Sequence, residues 1–232
     1  MREIVMDTET TGLKPLDGDR IVEIGGVELI DQLPTGNIYH QYINPERSMP
    51  KEAFDVHGLG DEFLLKQPLF KDIVQDFLKF IDGAKLVIHN ARFDMGFLNA
   101  ELTRQKLKPL PDTIAIDTLL LARKKFPAGP NSLDALCKRF GIDNSRRAKH
   151  GALLDSEILA EVYIELLGGR QTALFSADQN SNDSRETSIG LVGNNNARQR
   201  STSLPSRLTD EDKDKHLKFI KTLGDNPMWL KK

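Results

Sequence analysis

The apolar residues of this chain change their spacing at Pro68, and nothing else in the sequence restricts the fold as much. Before Pro68 they fall in short runs, Glu3–Thr8, Arg20–Leu29 and Asn37–Ile43, parted by loops that contain Gly, Asp or Pro. Connections this short join antiparallel neighbours, so a meander is expected. After Pro68, Phe70, Ile73, Val74, Phe77, Leu78 and Ile81 form a helical stripe that Gly83 ends. A strand is predicted over Lys85–His89, then a helical stripe of Phe97, Leu98 and Leu102. Another strand near Ile114–Asp117 precedes a helix near Leu119–Lys125. Ser132 reads as the N-cap of a helix over Leu133–Phe140 that Gly141 closes. A last helix runs through Ile158, Leu159, Val162 and Leu166 and stops at Gly168-Gly169. Three meandering strands followed by alternating strands and helices predict an α/β fold, a mixed sheet with helices packed on it.

Four acids sit where this pattern makes them costly. In Val5-Met6-Asp7-Thr8-Glu9 the alternation of a strand puts Asp7 and Glu9 on one face with Val5. That face is either the core, where a cation would have to offset the burial, or a strand end running into solvent. Asp94 lies three and four residues before Phe97 and Leu98, on the apolar side of its helix. Asp155 repeats this arrangement ahead of Ile158, Leu159 and Val162. Either could act as a first-turn acid on a helix dipole, but two such acids opening two inward stripes point to a metal site. Oxygen ligands without cysteine favour Mg²⁺ or Mn²⁺, and four carboxylates are enough for two such ions. His150, five residues before Asp155 in a glycine-containing approach to the last helix, is placed to take a proton from water.

Composition sets further bounds. Lys and Arg number 32 against 34 Asp and Glu, which argues against a surface that grips nucleic acid by bulk positive charge. A polyanionic substrate would meet its positive charge in bound metal or in a partner that holds it. The single cysteine, Cys137, lies in an apolar run and fits a reducing cytoplasm. The chain enters its first strand with no leader-like segment, and no apolar run approaches the length of a membrane span.

Residues Asp7 to Gly12, His89 to Asp94 and His150 to Asp155 resemble, in order and separation, the three motifs of the DEDDh exonucleases. The stretches Asn131 to Cys137 and Glu52 to Gly58 are similar, more narrowly, to the proofreading branch of that family. The resemblance covers residue 1 to about Phe175. It implies a ribonuclease H-like fold and hydrolysis of DNA from the 3′ end, releasing nucleoside 5′-monophosphates. It also implies two divalent ions held by Asp7, Glu9, Asp94 and Asp155, with His150 as general base. Thr10, Thr11, Gly12, Glu52 and His57 would then contact the terminal nucleotide, along with Asp7, Glu9 and Asp155. Taken alone, His57 reads as a loop histidine.

Past Phe175 the composition shifts. Residues 176–206 are rich in Ser, Asn, Arg and Gly and read as a flexible linker, closing a catalytic domain over 1–175. Apolar residues return over 207–232, with Leu217, Ile220 and Leu223 at helical spacing and then Met228-Trp229-Leu230. This segment either folds back or docks on a partner, and a linker that gives reach favours docking, with Trp229 as an anchor. Gln171 to Phe175 resembles the short peptides by which bacterial replication proteins dock on the sliding clamp; Gln171, Leu174 and Phe175 would make that contact unless Leu174 and Phe175 pack on the preceding helix. The expected partners are DNA 3′ ends, a polymerase catalytic subunit through the terminal segment, and the clamp; binding of a further small accessory subunit is left open. An RNA 3′-exonuclease and a non-catalytic adaptor are the competing readings, which activity on DNA against RNA ends and an Asp7→Ala variant would separate.

Overall fold

The computed structural model describes residues 1–145, 149–169 and 209–222. The chain divides into two compact units, 1–180 and 181–232. In the first unit, strands β1 (Arg2–Thr10), β2 (Ile21–Ile30) and β3 (Leu33–Tyr42) lead into helices α1 (Lys51–His57), α2 (Asp61–Leu64) and α3 (Phe70–Ile81). Then follow β4 (Lys85–Ile88), α4 (Ala91–Arg104), β5 (Ala115–Asp117), α5 (Thr118–Lys125), α6 (Leu133–Phe140) and α7 (Ala152–Leu166). The sheet order is β3-β2-β1-β4-β5, antiparallel through β1, β2 and β3 and parallel from β1 to β4 to β5. It is the mixed sheet with flanking helices that the apolar spacing predicts, in the ribonuclease H-like arrangement that the resemblance implies.

Alternation along β1 divides the core. Ile4 and Met6 face the phenylalanines of α3 and α4, Phe70, Phe77 and Phe97, each of which contributes about 1.5–3 kcal/mol when fully buried. Val5 points the other way, with Val87, onto Leu159, Ala160 and Tyr163 of α7. Behind α7, Ile158, Val162 and Leu166 pack on Ala122 of α5 and on Leu136 and Cys137 of α6.

Three elements differ from expectation, among them α2, which at four residues is too short to show a stripe. β3 begins at Leu33 rather than Asn37, because Asp31 and Gln32 both take positive φ, 49° and 67°, and turn the chain in two residues. Pro34 and Gly36 look like loop residues, yet an edge strand tolerates a proline without an N–H. Residues 51–57 form a helix, so His57 closes α1 and is buried rather than lying in a loop.

In the second unit the described element is α8 (Asp210–Lys221), opened by Thr209, whose side chain and that of Asp212 satisfy each other's backbone N–H. It carries exposed Leu217 and Phe219 and buried Ile220. Gln171, Leu174, Phe175 and Trp229, the linker over 176–206 and the chain beyond 222 lie outside the described residues. No helix among the described residues is long and apolar enough to cross a membrane.

Candidate active site

The parallel strands β4 and β5 end together while β1 runs on to Thr10, and the site forms at their carboxyl ends, where α/β sheets open a crevice. Asp7 and Glu9 share the Val5 face of β1 and so look toward α7. The register of β1 on β2 shifts between Glu9 and Thr10, which ends regular pairing one residue past Glu9. Thr10, Thr11 and Gly12 form the turn that follows. The Thr10 hydroxyl donates to the Gly12 carbonyl at 2.6 Å, and the Thr11 hydroxyl accepts from the Arg20 N–H at 3.0 Å. A β-carbon on Gly12 would fall 2.3 Å from Asp19 Oδ2, so any other residue here would have to displace the Asp19 carboxylate.

Helix α7 brings Asp155 to this edge because Gly25 lets it. Asp7 pairs with Gly25 across the strands, and a β-carbon on Gly25 would stand 2.3 Å from the Ala152 backbone. The first turn of α7 thus rests directly on β2. Ser156 Oγ lies 3.1 Å from the Gly25 carbonyl, and two turns on Tyr163 donates to Glu3 Oε1 at 2.7 Å. Pinned at both places, α7 holds Asp155 at 2% exposure next to Glu9 at 7%.

His150 precedes α7, with Nδ1 3.2 Å from Asp155 Oδ2 and its ring 46% exposed. Its backbone N–H donates to the Val56 carbonyl at 3.3 Å, tying the histidine to α1. One ligand atom each from Glu9, His150 and Asp155 lie within 4.8 Å of one another. Carboxylates this buried and this close repel each other unless a cation joins them. Carboxylate oxygens with a single imidazole suit a hard divalent ion, so the residues present fit the metal that the motifs imply.

Asp7, Glu9, His150 and Asp155 line one cavity of about 590 Å³ with Thr8, His89, Asn90, Arg123, Asn131 and Asp134. Asp94 stands one hydrogen bond away: the Thr8 hydroxyl donates to its Oδ1 at 2.7 Å. At 2% exposure, burial lifts the Asp94 carboxyl to about 7, against the opposing bond from Thr8 and with a smaller push from Asp117. The structure therefore gathers four of the five predicted residues around the cavity and places the fifth behind Thr8.

Of the predicted nucleotide contacts, Asp7, Glu9 and Asp155 line that wall, and Thr10, Thr11, Gly12, Glu52 and His57 do not. Glu52 is exposed on α1, while Thr10, Thr11 and His57 are buried. His57 Nδ1 accepts from the Leu59 N–H at 3.0 Å, so the proton sits on Nε2, and burial holds its pKa below the usual histidine value. Arg123, Asn131 and Asp134 were not legible as site residues, for they come from α5, the loop after it and the start of α6, distant in sequence. His89 and Asn90 carried a signal: both directly follow an apolar strand in a parallel part of the sheet.

The family model described as Exonuclease (RNase_T) matches residues 4–163. The chain is 48% identical over 226 residues to the DNA polymerase III subunit epsilon of Rickettsia felis, across 96% of this chain and 97% of that relative. It is 42% identical over 240 residues to the subunit of the same name from Escherichia coli K12, across 98% of this chain and 97% of that one. Among solved structures, exonuclease X in complex with 5′ overhanging duplex DNA is similar at a TM-score of 0.56 and 28% identity, covering 72% of this chain and 90% of that one. The nuclease domain of 3′hExo, a DEDDh family member bound to rAMP, shares the fold at a TM-score of 0.62 and 20% identity, over 72% of this chain and 91% of that one. With the carboxylates of all three motifs gathered at one sheet edge, the chain belongs to the exonuclease family, in the branch of the DNA polymerase III epsilon subunits.

Proposed function

We infer that this chain is a divalent-metal-dependent 3′→5′ DNA exonuclease and the proofreading subunit of a bacterial replicative polymerase, working in the cytoplasm at the replication fork. The observation that carries the reading is the convergence of Glu9, His150 and Asp155 within 4.8 Å at the end of β1. Asp7, Glu9, Asp94 and Asp155 would hold two ions, Mg²⁺ or Mn²⁺. Bound there, the ions supply Lewis acidity to the phosphodiester and make water a stronger acid.

The chain's own residues do the rest. Asp155 faces His150 Nδ1 and orients the ring, so Nε2 is the nitrogen that takes the proton from the attacking water. The new P–O bond forms at the terminal phosphodiester, the P–O3′ bond breaks, and the departing O3′ gains a proton. A nucleoside 5′-monophosphate leaves. Thr10, Thr11, Gly12, Glu52 and His57 shape and flank the turn that receives the terminal nucleotide. Error selectivity needs no base reading: a mismatched end frays at lower cost, and the single strand enters.

Digestion of 5′-labelled DNA with matched or mismatched 3′ ends tests this. Ladders should shorten from the 3′ end with Mg²⁺ or Mn²⁺, faster on mismatches, and stop with a chelator. Asp7→Ala and Asp155→Ala should each lose at least about a hundredfold in rate. Metal-independent cleavage, or equal rates in Asp155→Ala, would refute the assignment.

A further inference from the structure

We propose that Asp117 is a positioning residue for Asp94, because its one carboxylate caps two helices and so fixes where α4 begins. Helix α4 cannot cap itself. It starts from Asn90 in the left-handed region, φ 67° and ψ 54°, and the Asn90 side chain makes no capping bond. The first helical N–H, on buried Ala91, donates instead to Asp117 Oδ2 at 3.1 Å. The other oxygen, Oδ1, accepts from the N–H groups of Leu119 and Leu120 at 2.9 and 3.2 Å and opens α5. Parallel pairing of β4 with β5 sets Asp117 beside Ile88, at the strand end from which α4 departs.

Asp94 is the fourth residue of α4, less than one turn from Ala91. A helix advances about 1.5 Å per residue, while a working site tolerates misplacement of about 0.5 Å. Slippage or fraying of this first turn by a single residue would therefore take the Asp94 carboxylate out of the site and away from Thr8. Asp117 itself does not line the cavity that holds Asp7, Glu9 and Asp155, and both of its oxygens are engaged with backbone N–H groups. It acts through Asp94 and not on substrate.

The inference rests on Asp94 as a metal ligand, and the experiment separates the two. Asp117→Asn keeps one carbonyl oxygen, enough for one helix. Asp117→Ser caps α5 well but is too short to reach Ala91. Asp72→Ala is the control, since Asp72 Oδ2 accepts the Leu69 N–H at 3.1 Å and caps α3 far from the site. Full-length variants are compared by Mn²⁺ titration calorimetry, by thermal melting without metal, and by kcat and KM on single-stranded oligonucleotides. Asp117→Asn and Asp117→Ser should melt like Asp72→Ala but lose about tenfold or more in Mn²⁺ affinity and kcat, with KM little changed. Mn²⁺ binding and kcat within twofold of wild type would overturn the proposal. So would equal losses in Asp72→Ala, or global unfolding of both Asp117 variants, since the effect would then belong to the fold. If Asp94→Ala binds Mn²⁺ like wild type, it is the ligand role of Asp94 that fails, and the proposal falls with it.

Discussion

Asp94 shows how much one buried carboxyl is made to bear. Thr8 sits between Asp7 and Glu9 on β1, yet its side chain points to the opposite face and donates to Asp94. Val would keep the volume of Thr8 and leave the carboxyl without that donor. Thr8→Val should therefore destabilise the protein by about 1–3 kcal/mol in urea unfolding and weaken metal binding. The raised pKa has its own signature. Between about pH 4 and about pH 7 the folded metal-free protein keeps a proton on Asp94 that the unfolded chain has released. Through this group, stability falls as pH rises across that window. Urea unfolding with chelator should show the slope as a difference between wild type and Asp94→Asn, and Mn²⁺ should remove it by holding the ionised form. A slope unchanged by Mn²⁺ would contradict the ligand role. Asp94 and Asp155 were legible in the sequence because a carboxylate inside an apolar helical stripe breaks a period, while Asp7 and Glu9 leaned on the family resemblance. Thr8 was not, since a threonine in a strand breaks nothing.

At the scale of elements, the site depends on a helix lying closer to the sheet than side chains normally allow. Gly25→Ala would drive a methyl group into the Ala152 backbone and lift the start of α7 from β2. A shift near 1 Å in Asp155 and His150 should cost about a hundredfold in kcat, read on single-stranded DNA, while the far end of α7 stays anchored through Tyr163 and Glu3. Activity close to wild type would mean that the contact does not set the site. The β2–β3 turn offers a contrast remote from the chemistry. Gln32 takes a φ of 67° that glycine adopts without penalty. Gln32→Gly should raise stability by about 0.5–1 kcal/mol in chemical denaturation with unchanged turnover. Helices α1 and α2 are the elements that the periodicity missed, at seven and four residues too short to show a stripe, although α1 carries Glu52 and His57 and receives the His150 N–H.

The whole molecule is near neutral, with a tail beyond residue 175. Net charge of −2 leaves little electrostatic attraction for DNA, so local concentration has to come from attachment. Removing residues 176–232 should leave hydrolysis of free single strands within a few-fold of the full chain and abolish association with the polymerase subunit, as measured by co-sedimentation. Substituting Gln171, Leu174 and Phe175 together should weaken clamp binding alone. Polymerase association that survives the truncation would place the docking surface within the first 175 residues.

What the sequence determined by itself is the layered sheet, the helices with strong stripes and the places of Asp94 and Asp155 within apolar stripes, because burial of an apolar face and misplacement of a charge are both written in local spacing. What only the tertiary structure decided is how those acids meet. The approach of α7 over Gly25, the bond from Thr8 to Asp94, and the sharing of Asp117 between two helices all join residues tens of positions apart. Each rests on backbone contact or on a few hydrogen bonds, and neither leaves a periodic trace in the chain.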